Sequence, residues 1–213
     1  IINFCMKIVV FFSGTGTNLR SFLEQENDLN YEVASTFTNN PKAHGIQIAA
    51  KFNKPCKIID HQDFLERETF DQEIYNYLEG IDFDYIVLAG YMRILSSFLV
   101  EAYEGQIINI HPSLLPKYKG LNTHEKVINN GDEIHGCSTH FVTCNIDEGP
   151  IIAQYRLPVD KNDTALSISK KLLPLEHKLY YETLKMIEEK RIYLRDNKVI
   201  FDGEFLNEPI MLN

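Results

Sequence analysis

Short apolar runs alternate with helical patterns along the chain, and this alternation constrains the fold more than any other feature. Lys7 to Phe12 is a nearly continuous apolar run, as expected of a strand covered on both faces, and Asp84 to Ala89 reads as another buried strand. The alternation predicts an α/β fold, with a doubly wound, mostly parallel, Rossmann-like sheet and helices on both faces. Predicted strands are 7–12, 31–38, 56–59, 84–89, 106–110, 137–142 and 151–157; predicted helices begin after residue 18 and span 43–52, 64–78, 123–130 and 165–190.

The length of 213 residues predicts one domain with a large core. Residues 6–190 carry the alternating pattern, and we expect residues 191–213 to form a C-terminal strand-pair appendage of the same domain. Turn signals between Arg191 and Phe205 indicate that pair. The helix 165–190 should break near Pro174, because an internal proline removes a helical hydrogen bond. Residues 1–5 are given no role.

Charge and composition exclude several classes of partner. The 21 Lys and Arg residues against 30 Asp and Glu give a net charge of −9 without a basic stripe, which disfavours nucleic acid. The four cysteines form no C-x-x-C pair, so we expect reduced thiols. Apolar stretches fall short of the ~18 residues that a membrane span needs. We therefore predict a cytoplasmic protein that binds small molecules.

The segment from Gln106 to Gly120 contains the clearest chemical signal. Asn109 and His111 share one face at the exit of a predicted strand, and Pro112 ends the ladder there. An amide beside an imidazole can stabilise negative charge on a carbonyl oxygen. A nearby carboxylate such as Asp147, in a polar turn, would favour the charged imidazolium. The three residues predict acyl-group chemistry without a covalent nucleophile.

Two further segments indicate ligand binding. Ser13 to Asn18 is a glycine turn between a strand and a helix, which can hold an anion on backbone amides. Leu19 replaces the third glycine of the dinucleotide fingerprint, and no Gly-Lys-Ser/Thr follows, so neither NAD nor ATP is supported. Met92 to Leu95, after Gly90, places an arginine among apolar groups, which suits a flat aromatic ligand with a carboxylate.

Other assignments of these side chains are less favoured. Cys137 and His140 suggest zinc, but on a strand they point to opposite faces. Ser113 beside a histidine suggests a hydrolase, yet there is no Gly-x-Ser-x-Gly elbow. By position alone, Glu176 on the last long helix and Arg67 are surface residues.

With these residues assembled, the chain resembles the folate-dependent phosphoribosylglycinamide formyltransferases of purine synthesis from about Met6 to about Lys190. Its most specific segments, in order, are Ser13 to Asn18, Ala89 to Leu95, Asn109 to Tyr118, Gly120 to His124 and His140 to Pro150. The Cys-Asn-Ile before Asp147 is less acidic than the resemblance leads us to expect.

The resemblance implies that 10-formyltetrahydrofolate, as co-substrate, donates its formyl group to the amine of 5-phosphoribosyl-glycinamide. Asn109 and His111 would stabilise the tetrahedral intermediate of direct attack, and Asp147 would keep His111 protonated and help relay the amine proton. No metal is implied, and the state is monomer or homodimer. The implied binding residues are Gly16, Thr17, Asn18 and Glu176 for the substrate, and Arg67, Met92, Arg93, Ile94, Leu95 and Asn109 for the folate.

Three alternatives remain open. Formyltetrahydrofolate deformylases pass the formyl group to water with a similar trio, but carry an N-terminal domain that we do not expect before Met6. Methionyl-tRNA formyltransferases need a basic C-terminal domain, which we do not expect in this acidic chain. The non-enzyme alternative is a folate or phosphosugar sensor, and the intact trio argues against it.

Overall fold

The computed structural model describes residues 5–26 and 28–212, which divide into two compact units, one ending at Ile108 and the other beginning at Asn109. The helices and strands of the first unit are β1 (Met6–Phe12), α1 (Thr17–Gln25), β2 (Tyr31–Thr38), α2 (Gly45–Lys51), β3 (Cys56–Ile58), α3 (Arg67–Leu78), β4 (Tyr85–Leu88) and α4 (Ser97–Ala102). Its strands pair in parallel in the order β4-β1-β2-β3. Every residue of β1 except Lys7 is buried, as its apolar run predicts.

The next strand, β5 (Ile107–His111), runs across the boundary, so Asn109 and His111 belong to the second unit. The later elements are α5 (Thr123–Asn130), β6 (Ile134–Phe141), β7 (Ile151–Pro158), α6 (Ala165–Glu188), β8 (Ile192–Arg195), β9 (Lys198–Phe201), β10 (Glu204–Phe205) and β11 (Ile210–Leu212). β7 lies between antiparallel β6 and parallel β11, and α6 packs against β6 and β7.

The prediction of an α/β fold with a mostly parallel sheet is confirmed. The break near Pro174 is wrong: α6 runs through it without interruption. Ile168 and Leu172 before the proline, and Leu179 after it, are buried on the same helix, so packing on both sides outweighs the lost hydrogen bond.

The C-terminal segment also differs from the prediction. The predicted pair is present as antiparallel β8 and β9, but β10 extends it to a three-stranded sheet and β11 adds a strand beside β7. The helix α4 was not predicted. The Ser96 hydroxyl caps its first turn by accepting a hydrogen bond from the Leu99 amide. No helix within residues 5–26 and 28–212 is long and apolar enough to cross a membrane.

Candidate active site

His111 is held at the end of β5 by the loop that follows it. The imidazole is 7% exposed, and its Nε2–H donates to the Tyr118 carbonyl at 2.8 Å. Tyr118 adopts a positive φ of 55°, which is uncommon for a side chain of that size. Because Nε2 is engaged, Nδ1 is the nitrogen left for chemistry, and it lies 3.4 Å from Asp147 Oδ2.

Asp147 lies in the turn between β6 and β7 with a left-handed backbone, φ 53°. Its Oδ2 accepts a hydrogen bond from the Gly120 amide at 2.8 Å, and its side chain is 11% exposed. The distance of 3.4 Å between Asp147 Oδ2 and His111 Nδ1 exceeds that of a charge-assisted hydrogen bond, about 2.7–2.9 Å, so Nδ1 is not tightly bound by this carboxylate.

Gly149 fixes the path of this turn by close packing. A Cβ on Gly149 would lie 1.7 Å from the Phe141 carbonyl oxygen, so no larger residue fits without a shift of the backbone. The Phe141 amide in turn donates to the Pro150 carbonyl at 3.0 Å. The turn that carries Asp147 is therefore tied closely to the end of β6.

His140 is a residue of the site that the sequence analysis missed. Its Nδ1–H donates to the Phe141 carbonyl at 2.9 Å, and its Nε2 accepts from Asn109 Nδ2 at 3.2 Å. Burial is the main cause that lowers the His140 pKa, so the ring is neutral and orients the Asn109 amide. Asp147 Oδ1 lies 3.8 Å from His140 Nε2. Side chains alternate between the two faces of a strand, so the sequence does place His140 on the opposite face from Cys137. That alternation was the one signal in the sequence that pointed to His140.

Buried hydroxyls hold the loop after His111. Ser113 is fully buried and donates to the Lys117 carbonyl at 2.6 Å, which leaves it no part as a nucleophile. Ser138 on β6 donates to the Ser113 carbonyl at 2.6 Å and accepts from the Leu115 amide at 3.0 Å. Gln154 on β7 donates to the Leu115 carbonyl at 2.8 Å. These contacts fix the loop from two neighbouring strands.

In the first unit, the glycine loop follows β1 and opens α1. Gly16 has φ 74°, and a Cβ there would lie 2.7 Å from the Gly45 Cα, so this position requires glycine. A cavity of about 270 Å³ adjoins the loop. Amides in the first turn of a helix lack intrahelical partners and favour anions. The lining residues are Ser13, Gly14, Thr15, Gly16, Thr17, Asn18, Ala89, Gly90 and Met92.

Two polar contacts shape this cavity. Ser13 Oγ donates to Asn39 Oδ1 at 2.6 Å and accepts from the Met92 amide at 2.8 Å, so the loop is joined directly to the segment after β4. Asn18 is 8% exposed, and its Oδ1 has no hydrogen-bond partner among the described residues. A buried, unpaired acceptor suits a donor from a ligand, such as a hydroxyl or amine.

The residues predicted to bind folate differ in exposure. Met92 is 68% exposed and Leu95 is buried, while the Arg93 guanidinium stacks 4.8 Å from the Phe70 ring centre. The buried Asp71 carboxylate accepts from the Ser96 amide. Burial raises the Asp71 pKa, opposed by that hydrogen bond and by Arg93. Arg67, at the start of α3, is exposed, and its charge also acts on Asp71.

Glu176 is half-buried on α6, the helix that packs against β6 and β7. Its charge adds to burial in raising the pKa of the Cys137 thiol and of the Tyr180 hydroxyl. Glu176 is therefore not the fully solvated residue that its position on a charged helix suggested, because its side chain is half-buried.

A pair of histidines, His124 and His135, lies near His111 in the second unit. His124 Nδ1 and His135 Nε2 are 3.0 Å apart, so one of these nitrogens donates and the other accepts. Burial lowers the His135 pKa to about 4 and also lowers the His124 pKa. Within the described ranges, no group of three or more His, Cys, Asp or Glu side chains is arranged to hold a metal ion.

Similarity to known proteins identifies the broad family of the chain first. Residues 6–184 match the profile of the family described as formyl transferase. The chain is 37% identical to the phosphoribosylglycinamide formyltransferase of Escherichia coli, over 94% of this chain and 96% of that protein. The Haemophilus influenzae protein of the same name is 36% identical over 94% of this chain and 95% of that protein.

Solved structures agree with these relatives. The phosphoribosylglycinamide formyltransferase of Coxiella burnetii superposes with a TM-score of 0.93 at 38% identity, covering 98% of this chain and 99% of that one. A formyltetrahydrofolate deformylase of Pseudomonas syringae superposes with a TM-score of 0.85 at 25% identity, covering 92% of this chain and 65% of that one. The chain belongs to the formyl transferases and, among them, to the phosphoribosylglycinamide formyltransferase family, which is a family of enzymes.

Proposed function

We propose that this chain transfers the formyl group of 10-formyltetrahydrofolate to the amine of 5-phosphoribosyl-glycinamide, a step of purine (IMP) biosynthesis. The observation that carries the proposal is the grouping of Asn109, His111 and Asp147, linked through His140, in a chain of this family. The near full-length match to relatives named for this reaction supports the choice of substrate.

Asn109 and His111 are proposed to stabilise the oxyanion. The amine attacks the formyl carbon, the new C–N bond forms, and the carbonyl oxygen becomes negative. Asn109 keeps one amide hydrogen on His140 and has a second to donate, and a proton on His111 Nδ1 supplies the other donor. Loss of one such donor raises a barrier by roughly 3 kcal/mol.

Asp147 is proposed to act on charge and protons. Its carboxylate lies 3.4 Å from His111 Nδ1, where its negative charge faces the ring that donates to the oxyanion. The attacking amine loses a proton and the folate N10 gains one as the intermediate collapses. Asp147 and His111 relay that proton, so no metal or covalent intermediate is needed.

The remaining predicted residues are proposed to bind the two substrates. Gly16, Thr17 and Asn18 would take the phosphate and the hydroxyls of the ribose, and Glu176 would contact the glycinamide substrate. Bringing the two reactants together supplies a large part of the acceleration. Arg67, Met92, Arg93, Ile94, Leu95 and Asn109 would bind the folate.

Hydrolysis is the second candidate, and one observation favours considering it. The deformylase of Pseudomonas syringae has a similar fold at 25% identity. The same donors would stabilise the intermediate whether an amine or water attacks the formyl carbon. The two functions differ only in the acceptor.

The test is an absorbance assay for loss of 10-formyltetrahydrofolate, run with and without 5-phosphoribosyl-glycinamide. We expect turnover only when the amine is present. Turnover at the same rate without the amine would replace the transferase with the hydrolase. Tight folate binding without turnover in either condition would replace it with the sensor.

A further inference from the structure

An ion pair lies directly beside the contact that holds Asp147. Lys119 Nζ and Glu148 Oε1 are 2.8 Å apart. The residue after Lys119 and the residue before Glu148 make a second contact, in which the Gly120 amide donates to Asp147 Oδ2 at 2.8 Å. Two consecutive residues of one loop thus contact two consecutive residues of the β6–β7 turn. Neither charged residue belongs to the proposed donors or substrate-binding groups.

We infer that Lys119 and Glu148 are positioning residues that form an electrostatic latch, holding the Asp147 carboxylate at His111. The inference rests on the proposed function, because the carboxylate that the latch positions is the one assigned to proton relay. The latch is defined as these two side chains alone.

Two residues next to the latch have an unfavourable backbone conformation that neighbouring contacts must hold. Asp147 and Tyr118 both adopt positive φ, 53° and 55°, a conformation that costs free energy outside glycine and persists only where neighbouring contacts hold it. The Tyr118 carbonyl accepts from His111, and the Gly120 amide donates to Asp147. A displacement of residues 118–120 would therefore misplace both partners of the His111–Asp147 pair at once.

The charges of the latch are partly exposed, 39% for Lys119 and 46% for Glu148, so salt screens their attraction. The hydrogen bond and charge of Lys119 lower the Glu148 pKa, so the pair stays ionised well below neutral pH. Lys126 Nζ donates to the Lys119 carbonyl at 3.1 Å and helps to fix the backbone there. Exposed pairs of this kind contribute modestly, which sets the size of the expected effect.

A different role for Lys119 makes an opposite prediction. If Lys119 only attracted anionic substrates, Lys119→Gln would raise KM and Glu148→Gln, which removes a negative charge, would lower it. The latch predicts instead that both substitutions lower kcat by about two- to five-fold with little change in either KM. It also predicts that the double variant loses no more than either single variant, because the two residues act as one unit.

The kinetic experiment compares wild type, both single variants, the double variant and the charge swap Lys119→Glu with Glu148→Lys in the amine-dependent assay. The swap should recover more than half of the wild-type kcat. Lys171→Gln is the matched control, since Lys171 is 40% exposed and also pairs with carboxylates, Asp160 and Asp163, and it should leave kcat unchanged. Opposite KM shifts, or additive losses in the double variant, would overturn the latch.

Amide exchange supplies a readout that is independent of turnover. Hydrogen–deuterium exchange at the Gly120 amide, followed by NMR, should speed up about two- to five-fold in Glu148→Gln and not in Lys171→Gln. Unchanged exchange would overturn the latch even if the enzyme is active. A wild type without amine-dependent turnover would instead refute the proposed function.

Discussion

At the scale of single residues, the carboxylate of Asp147 lies between two histidines with different hydrogen-bond partners. Oδ2 faces His111 Nδ1 at 3.4 Å, and Oδ1 is 3.8 Å from His140 Nε2. Burial keeps His140 neutral, and its Nδ1–H is committed to the Phe141 carbonyl. One ring therefore orients the Asn109 amide, and the other is the ring that exchanges protons in the proposed reaction.

Asp147→Asn should lower kcat by about 10²- to 10⁴-fold, because the amide keeps the shape of the side chain but carries no negative charge and does not accept a proton. Folate binding, measured by fluorescence titration, should survive. His111→Ala should lose turnover similarly. Unchanged turnover in Asp147→Asn would remove this residue from the mechanism.

The matched control for that substitution is Asp163→Asn. The Asp163 side chain is 5% exposed, also pairs with a cation, Lys171, and lies in the same unit. Its loss removes a carboxylate of similar burial that the mechanism does not use. We expect kcat to stay within two-fold of wild type, which would show that loss of a carboxylate of similar burial is not enough to stop turnover.

At the scale of elements, the turn between β6 and β7 depends on its glycine. Gly149→Ala would place a Cβ 1.7 Å from the Phe141 carbonyl oxygen, so the turn must move, and the acceptor of His140 Nδ1–H moves with it. We expect a loss of about 1–3 kcal/mol in the free energy of unfolding together with a lower kcat. Urea unfolding and the amine-dependent assay measure the two effects.

Gly80→Ala is the control for the added methyl group. A Cβ there meets only the Tyr77 carbonyl oxygen at 3.7 Å, which is ordinary van der Waals contact. This variant should keep wild-type kcat and lose little stability. Equal behaviour of the two alanine variants would refute a special steric role for Gly149.

At the scale of the whole molecule, stability should fall as pH falls from about 6.5 to about 4. Burial lowers the pKa of His124, His135 and His140, that of His135 to about 4, whereas in the unfolded chain each titrates near 6.5. In this window the unfolded chain binds more protons than the folded one, so acid favours unfolding. Each histidine adds up to about 1.4 kcal/mol per pH unit to the slope.

Urea unfolding at several pH values between 7 and 5 measures this slope. His135→Asn should flatten it, since the asparagine does not titrate. His44→Asn, at an exposed position, is the control and should keep the wild-type slope. A slope that is the same in wild type and His135→Asn would show that protonation of this buried ring is not linked to unfolding.

Local pattern was enough to predict the parallel α/β class and to single out the strand exit at Asn109 and His111, because the apolar run and Pro112 report burial and termination directly. The relation between Asn109 and His140 was not predictable in this way. It depends on how a residue of β5 lies against a residue of β6, which a local sequence pattern does not report. The register of β6 on β7 also shifts between Thr139 and His140. The same limit explains β11, whose three residues pair with a strand far earlier in the chain.

Pro174 illustrates the reverse case, in which a strong local signal is overruled. A proline removes one hydrogen bond from the helix, but the buried side chains of α6 on both sides of it remain packed. Local propensity is a weak prior wherever a long amphipathic face is buried. The sequence therefore predicts where helices and strands occur better than where they end.

The left-handed backbone of Asp147 has a consequence for how the free energy is distributed. Such a conformation raises the energy of the folded chain by about 1–3 kcal/mol. Because Gly149 packs closely on the Phe141 carbonyl, the turn has few alternative conformations in the folded protein. The entropy cost of ordering the turn therefore falls on folding and not on substrate binding. In the proposed reaction, the substrates therefore meet a carboxylate that is already oriented, and their association need not wait for the turn to order.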